Sequence, residues 1–116
     1  MIQCKRVYNE ASPEDGTRVL VDRLWPRGVS KEEAALDDWM KNVAPSDALR
    51  RWFDHDPEKW EAFRVRYTQE LNEKEELVQE LRSVAESGTL TLIYAAKDRE
   101  HNHAVVLKDF LQRDHD

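Results

Sequence analysis

Residues 89–96 read Thr-Leu-Thr-Leu-Ile-Tyr-Ala-Ala, and the run Leu92-Ile93-Tyr94-Ala95-Ala96 inside them decides the fold class. A segment that is apolar at odd and even positions alike has no solvent-facing side. As a strand it must be covered on both faces, which is the habit of mostly parallel sheets flanked by helices. Ser87-Gly88 just before it is a helix stop. The polar stretch Lys97 to His103 follows, and the spacing of Ala104, Leu107 and Leu111 predicts a last helix over 102–112.

Upstream of Ser87 the residues Trp60, Phe63, Tyr67, Leu71, Val78, Leu81 and Ala85 trace one helical stripe. Lys74 interrupts it, so a break is expected between Asn72 and Glu75. Asp56-Pro57 is a strong helix start, with a carboxylate at the N-cap and proline at the first position. Ser46 caps a shorter helix that runs through Phe53. Ser30-Lys31-Glu32-Glu33 is a capping box for another short helix. Residues 38–44 are read as a short edge strand running into Pro45. Two strands open the chain, Ile2 to Tyr8 and Thr17 to Leu24. Between them Ser12-Pro13-Glu14-Asp15-Gly16 forms a turn in which glycine supplies a positive φ. The expectation is a single α/β domain over 1–116, with a small, mostly parallel central sheet of three to five strands flanked by helices.

Composition limits the function classes. The chain of 116 residues carries 18 basic and 24 acidic side chains, a formal charge of −6. Such a protein is a poor generic partner for nucleic acid or an anionic membrane. No segment has the length of a membrane span. The lone cysteine, Cys4, cannot form an internal disulfide and suits a reducing, cytoplasmic setting. It is read as a small buried hydrophobe rather than a nucleophile. There is no phosphate loop, dinucleotide fingerprint or zinc spacing, so no metal is expected and the cofactor is left unknown. His115 lies in a terminal tail expected to be disordered.

Two polar segments leave apolar strands, and ligands of α/β sheets bind beyond the carboxyl ends of strands. The first is Asp22-Arg23-Leu24-Trp25-Pro26-Arg27-Gly28. Arg23 and Arg27 suit a phosphate or carboxylate, and Trp25 could stack on a ring. The second is Lys97-Asp98-Arg99-Glu100-His101-Asn102-His103, which opens a helix whose free N–H groups favour anions. Lys97 adds charge, Asn102 and Asp98 can cap or orient, and His103 could act as an acid or base. A third segment, Phe53-Asp54-His55-Asp56, sets His55 between carboxylates. The composite expectation is a small anionic ligand held by Arg23, Arg27, Lys97 and Asn102 between walls of Trp25 and Tyr94. His55, Asp98 or His103 would supply acid–base capacity if the protein is an enzyme. Two other readings stand beside it. A nucleic-acid-linked module would need Arg18, Arg23, Arg27, Lys31, Arg50 and Arg51 on one face. A non-catalytic interaction domain would use the acidic stretch from Glu70 to Glu86.

The same residues resemble a known family. Arg6-Val7-Tyr8, Val21-Asp22-Arg23-Leu24-Trp25-Pro26-Arg27-Gly28, Ala44-Pro45-Ser46, His55-Asp56-Pro57, Tyr94-Ala95-Ala96-Lys97-Asp98 and His101-Asn102-His103-Ala104 are similar to the YeaO-like branch of a bacterial family of unknown function, domain-of-unknown-function family 488. The resemblance covers nearly the whole chain and implies a small bacterial α/β domain, without supplying an activity. Some members carry a transcription-regulator label, but no recognition-helix pattern is visible here.

Overall fold

The computed structural model describes residues 1–113, so His115 lies outside the described residues. Four strands form one wholly parallel sheet in the order β1-β4-β2-β3. They are β1 (Ile2–Arg6), β2 (Thr17–Leu20), β3 (Asp38–Trp39) and β4 (Leu90–Tyr94). Every residue of β4 is buried, as the apolar run requires of an inner strand with both faces covered. Leu90, Leu92 and Tyr94 point into the main core with Val19 and Val21 of the neighbouring chain. Ile93 points the other way, into a smaller core with Leu20, Val7 and Ala34.

The main core is covered by α2 (Asp47–Phe53), α3 (Trp60–Asn72), α4 (Glu75–Ser87) and α5 (His103–Gln112). The expected stripe supplies its buried residues Phe63, Tyr67, Leu71, Val78 and Leu81. The break falls where Lys74 interrupts the pattern. Its ammonium cannot join an apolar seam, so it turns to donate to Ala44 O at 2.8 Å. Partial burial depresses its pKa despite nearby Glu70. The smaller face is closed by α1 (Lys31–Ala34), capped at Ser30 as expected, and by Trp25 and Trp39.

Several boundaries differ from the sequence reading: β1 ends at Arg6 rather than Tyr8, and β4 spans Leu90–Tyr94 rather than 89–96. β2 stops at Leu20 rather than Leu24 because Val21 N makes the last ladder bond, to Ile93 O at 3.0 Å, and a side chain takes over one residue later. Residues 38–44 keep only a two-residue edge strand before a 3-10 turn over Lys41–Val43. The Asp56 cap opens a 3-10 turn, Pro57–Lys59, that feeds α3. Cys4 donates to Ala104 O at 3.4 Å, and burial pushes its thiol up to about 11, which leaves it inert.

The crossover from β1 to β2 contains no α-helix and depends on buried charge instead. Arg18 is buried and donates to Asp15 Oδ2 at 2.6 Å and to the last carbonyls of α1, Ala34 O at 2.8 Å and Ala35 O at 3.0 Å. Lys5 Nζ reaches both oxygens of Asp15 at 3.1 Å. Burial opposes ionisation of Asp15, but bonds from Lys5, Ser12 N and Arg18 outweigh it and hold the carboxyl below its usual range. At the adjoining turn Gly16 has φ +62°, and a Cβ there would lie 2.4 Å from Thr89 O.

Gly16→Ala meets both a disfavoured φ and an immovable carbonyl, so it should lower the unfolding free energy by roughly 2 kcal/mol or more in urea titration. Because the folded pKa of Asp15 is depressed, its contribution is complete above the ordinary carboxylate range and is lost as pH falls through the folded value. Acid unfolding of wild type should therefore be steeper than that of Asp15→Asn, which should cost about 3 kcal/mol at neutral pH because Arg18 is left uncompensated.

Candidate functional site

Parallel neighbours deliver their carboxyl ends to the same edge of a sheet. The segments leaving β2 and β4 therefore emerge side by side. Asp22 joins them, its Oδ2 accepting from Ala95 N at 3.0 Å. α5 is fixed to the same edge. Asn102 caps it by accepting from Val105 N at 3.1 Å, while its Nδ2 donates to Asp98 O at 2.8 Å. His103, the first residue of α5, brings Nε2 to 2.9 Å from Asp22 Oδ1 and 3.1 Å from Val21 O. A hydrogen carried on Nε2 would align with the carbonyl, and Asp22 Oδ1 is a sealed oxygen without a hydrogen bond among the described residues.

Above this edge lies a hollow of about 860 Å³, the size range of small-molecule sites. Its apolar wall comes from Phe53 of α2, Phe63 of α3, Pro45 and Ala96. Four cations line it, Arg23, Arg50, Arg51 and Lys97, against the carboxylates Asp22, Asp54 and Asp98. A chain with a net charge of −6 has thus assembled a local excess of positive charge. The acids are also largely committed. Asp22 is held by Ala95 N and His103. Asp98 accepts from the amides of His101 and Glu100 and from His101 Nδ1 at 3.0 Å, and these bonds keep its carboxyl below the usual range. Among the cations, Arg50 is 3.5 Å from Asp47, whereas Arg51 and Lys97 make no ion pair among the described residues.

Of the expected site residues, Arg23, His55, Lys97, Asp98, Asn102 and His103 all line this hollow. Their tasks differ from expectation. Arg23 donates to Ala44 O and Pro45 O, both at 3.3 Å, and so ties the β2 exit to the start of α2. Asn102 is fully used as a cap. His55 is exposed at the rim, where Asp54 and His55 both take positive φ, 45° and 55°. That conformation is uncommon for residues other than glycine, and here it turns the chain sharply out of α2.

Trp25, Arg27 and Tyr94 do not line the hollow. Trp25 donates to Val29 O at 2.7 Å and packs edge-to-face on Trp39 at 5.4 Å, in the core of the opposite face. Arg27 is exposed, and its carbonyl accepts from Tyr8 Oη at 2.9 Å. Tyr94 belongs to the main core, where burial raises its phenol pKa. The single basic face needed for a nucleic-acid module is also broken, because Arg18 is buried against Asp15.

Sequence reasoning missed Asp22 as a clasp and Arg50 and Arg51 as lining cations. Asp22 had a signal: a carboxylate directly after the buried run Val19-Leu20-Val21 needs a partner. The arginines had none that separates them from a solvated helix face. Among the described residues no group of three or more His, Cys, Asp or Glu is arranged to hold a metal ion, and no helix is long and apolar enough to cross a membrane.

Comparison with known proteins places this geometry in a family. The chain is 47% identical over 111 residues to the uncharacterised protein YeaO of Escherichia coli (strain K12), covering 96% of each chain. It is 40% identical over 110 residues to the uncharacterised protein Rv3073c of Mycobacterium tuberculosis (strain ATCC 25618 / H37Rv), covering 95% of this chain and 92% of that one. An uncharacterised protein of Mycobacterium bovis matches to the same extent. No solved structure matches. A family profile described as the inactive DUF488-N3 subclade matches residues 1–116, and the chain belongs to that YeaO-like branch of the DUF488 family.

Proposed function

We propose that this chain, acting as one cytoplasmic domain, binds a small phosphate- or nucleotide-like anion in the hollow at the carboxyl edge of its sheet. One observation carries the reading: two segments far apart in sequence, leaving β2 and β4, converge on one hollow where cations outnumber carboxylates in an otherwise acidic protein. Arg51 and Lys97, which have no internal ion pair, are the anion's contacts, and Arg50 adds field. Arg23 shapes the wall. The Phe53 and Phe63 side gives an apolar surface to the ligand's body.

Binding without turnover fits the chemistry. Asp22 and Asp98 are held by backbone amides and are poorly placed to exchange protons with a ligand. The description of the subclade as inactive supports the same view. A cytoplasmic setting is supported by a core that uses its lone cysteine as a packed thiol.

Isothermal titration and thermal shift with inorganic phosphate and adenosine monophosphate test the proposal. The expected result is saturable binding that weakens with added salt. Arg51→Ala and Lys97→Ala should each weaken it by about 10-fold or more, the value of one charge-assisted hydrogen bond. Arg27→Ala, whose side chain lies outside the hollow, should leave it unchanged. Equal affinity in all three variants, or no binding at low salt, overturns the proposal.

A further inference from the structure

Resting on that reading, we infer that His103 selects the ligand: Asp22 fixes its ring so that Nδ1 accepts a hydrogen bond, and the hollow takes anions that also carry an O–H or N–H donor. Nε2 of His103 faces two acceptors and nothing else, Val21 O at 3.1 Å and Asp22 Oδ1 at 2.9 Å. A backbone carbonyl has no hydrogen to give, and a carboxylate oxygen only accepts. Nε2 must therefore carry the hydrogen. In the neutral ring Nδ1 is then a bare lone pair.

That lone pair is open. Nδ1 makes no hydrogen bond among the described residues, and the one sealed side-chain polar atom without a hydrogen bond among them is Asp22 Oδ1. His103 lines the hollow beside Lys97 and Asp98. Asp22 acts through the imidazole and is a positioning residue. Its carboxylate makes the opposite tautomer unfavourable, because a bare Nε2 would face two acceptors at close range. Arg51 and Lys97 hold the charged end of the ligand, and His103 reads a hydroxyl or amine on its body. An anion with no such donor leaves Nδ1 unpaired in a desolvated wall.

Matched probes separate selection from anion binding: glycerol 3-phosphate carries hydroxyls, and propyl phosphate has the same chain length without them. Wild type should prefer glycerol 3-phosphate by about 3- to 10-fold, the value of one neutral hydrogen bond. His103→Gln keeps an N–H near the position of Nε2 and places nothing at Nδ1. It should abolish the preference, bringing the affinities for the two probes together. Asp22→Asn turns an N–H toward the ring. Nitrogen-15 NMR of His103 at mildly alkaline pH should show hydrogen on Nε2 in wild type and a population shifted toward Nδ1–H in Asp22→Asn, a change that a merely structural role for Asp22 would not produce. Equal affinity for the two probes, or equal losses for both in His103→Gln, overturns the inference and leaves the anion site standing. Failure of both probes to bind overturns both. A wild-type ring protonated on Nδ1 overturns the inference even if His103→Gln does not fold.

Discussion

The parallel placement of β4 between β1 and β2 is the constraint on which the rest of this molecule depends. A strand paired on both edges and covered on both faces can present its chemistry only at its ends. Within β4 the one hydroxyl outside the core aromatic, that of Thr91, is used on Asp15 O, and the polar loop begins at Lys97. Because β2 runs the same way, its own exit at Asp22 arrives beside that point. An antiparallel pair would have sent the two exits to opposite edges, and neither the Asp22–Ala95 bond nor the hollow would exist. Asp22 converts adjacency into fixed geometry, since a carboxylate bonded to the backbone of the next strand cannot drift with its loop.

Charge in this chain is used in two ways, and burial distinguishes them. Arg18, Lys5 and Asp15 are drawn inside to close a crossover that lacks an α-helix, where the arginine satisfies the exposed carbonyls at the end of α1. Lys74 and Arg23 likewise donate to Ala44 O, which secures the segment between the 3-10 turn and α2. These cations are spent on carbonyls and have little left for a ligand. Arg51 and Lys97 are not spent in this way. A count of basic residues by segment cannot tell the two groups apart, which is why Arg18, Arg23 and Arg51 fell together in one candidate basic face and only Arg23 of the three was expected in the anion site.

What could be read from sequence was whatever a periodic or capping pattern encodes. The run Leu92 to Ala96 specified a covered strand, Ser30 and Ser46 specified helix starts, and Lys74 marked the break between α3 and α4. The candidate site was legible in position, because polar segments after buried strands must gather at one edge. Its membership was less so. Trp25 follows the same strand as Arg23, but β2 has ended by Leu20, and in the irregular chain beyond it Trp25 turns to the opposite face, onto Trp39. Arg27 lies beyond that bend and is carried away from the hollow. Asn102 was expected to touch a ligand, but its side chain is consumed at both ends by the helix start.

Asp22 and His103 show how one packing solution can produce functional capacity without being selected for it alone. The sheet needs an acceptor for Ala95 N where the ladder ends, and a carboxylate at residue 22 provides it. Its second oxygen is then sealed beneath α5, a costly position for an unpaired acceptor. An imidazole at the first residue of α5 brings a polar nitrogen to 2.9 Å from it, although the hydrogen bond itself goes to Val21 O. Once Nε2 is committed, the ring has only one other polar atom, Nδ1, and the residue itself lines the hollow. An aliphatic side chain could pack there but would leave Val21 O without the ring's hydrogen bond, whereas a lysine would present no acceptor above. The same two residues therefore satisfy the end of the sheet and set the polarity of the floor of the hollow.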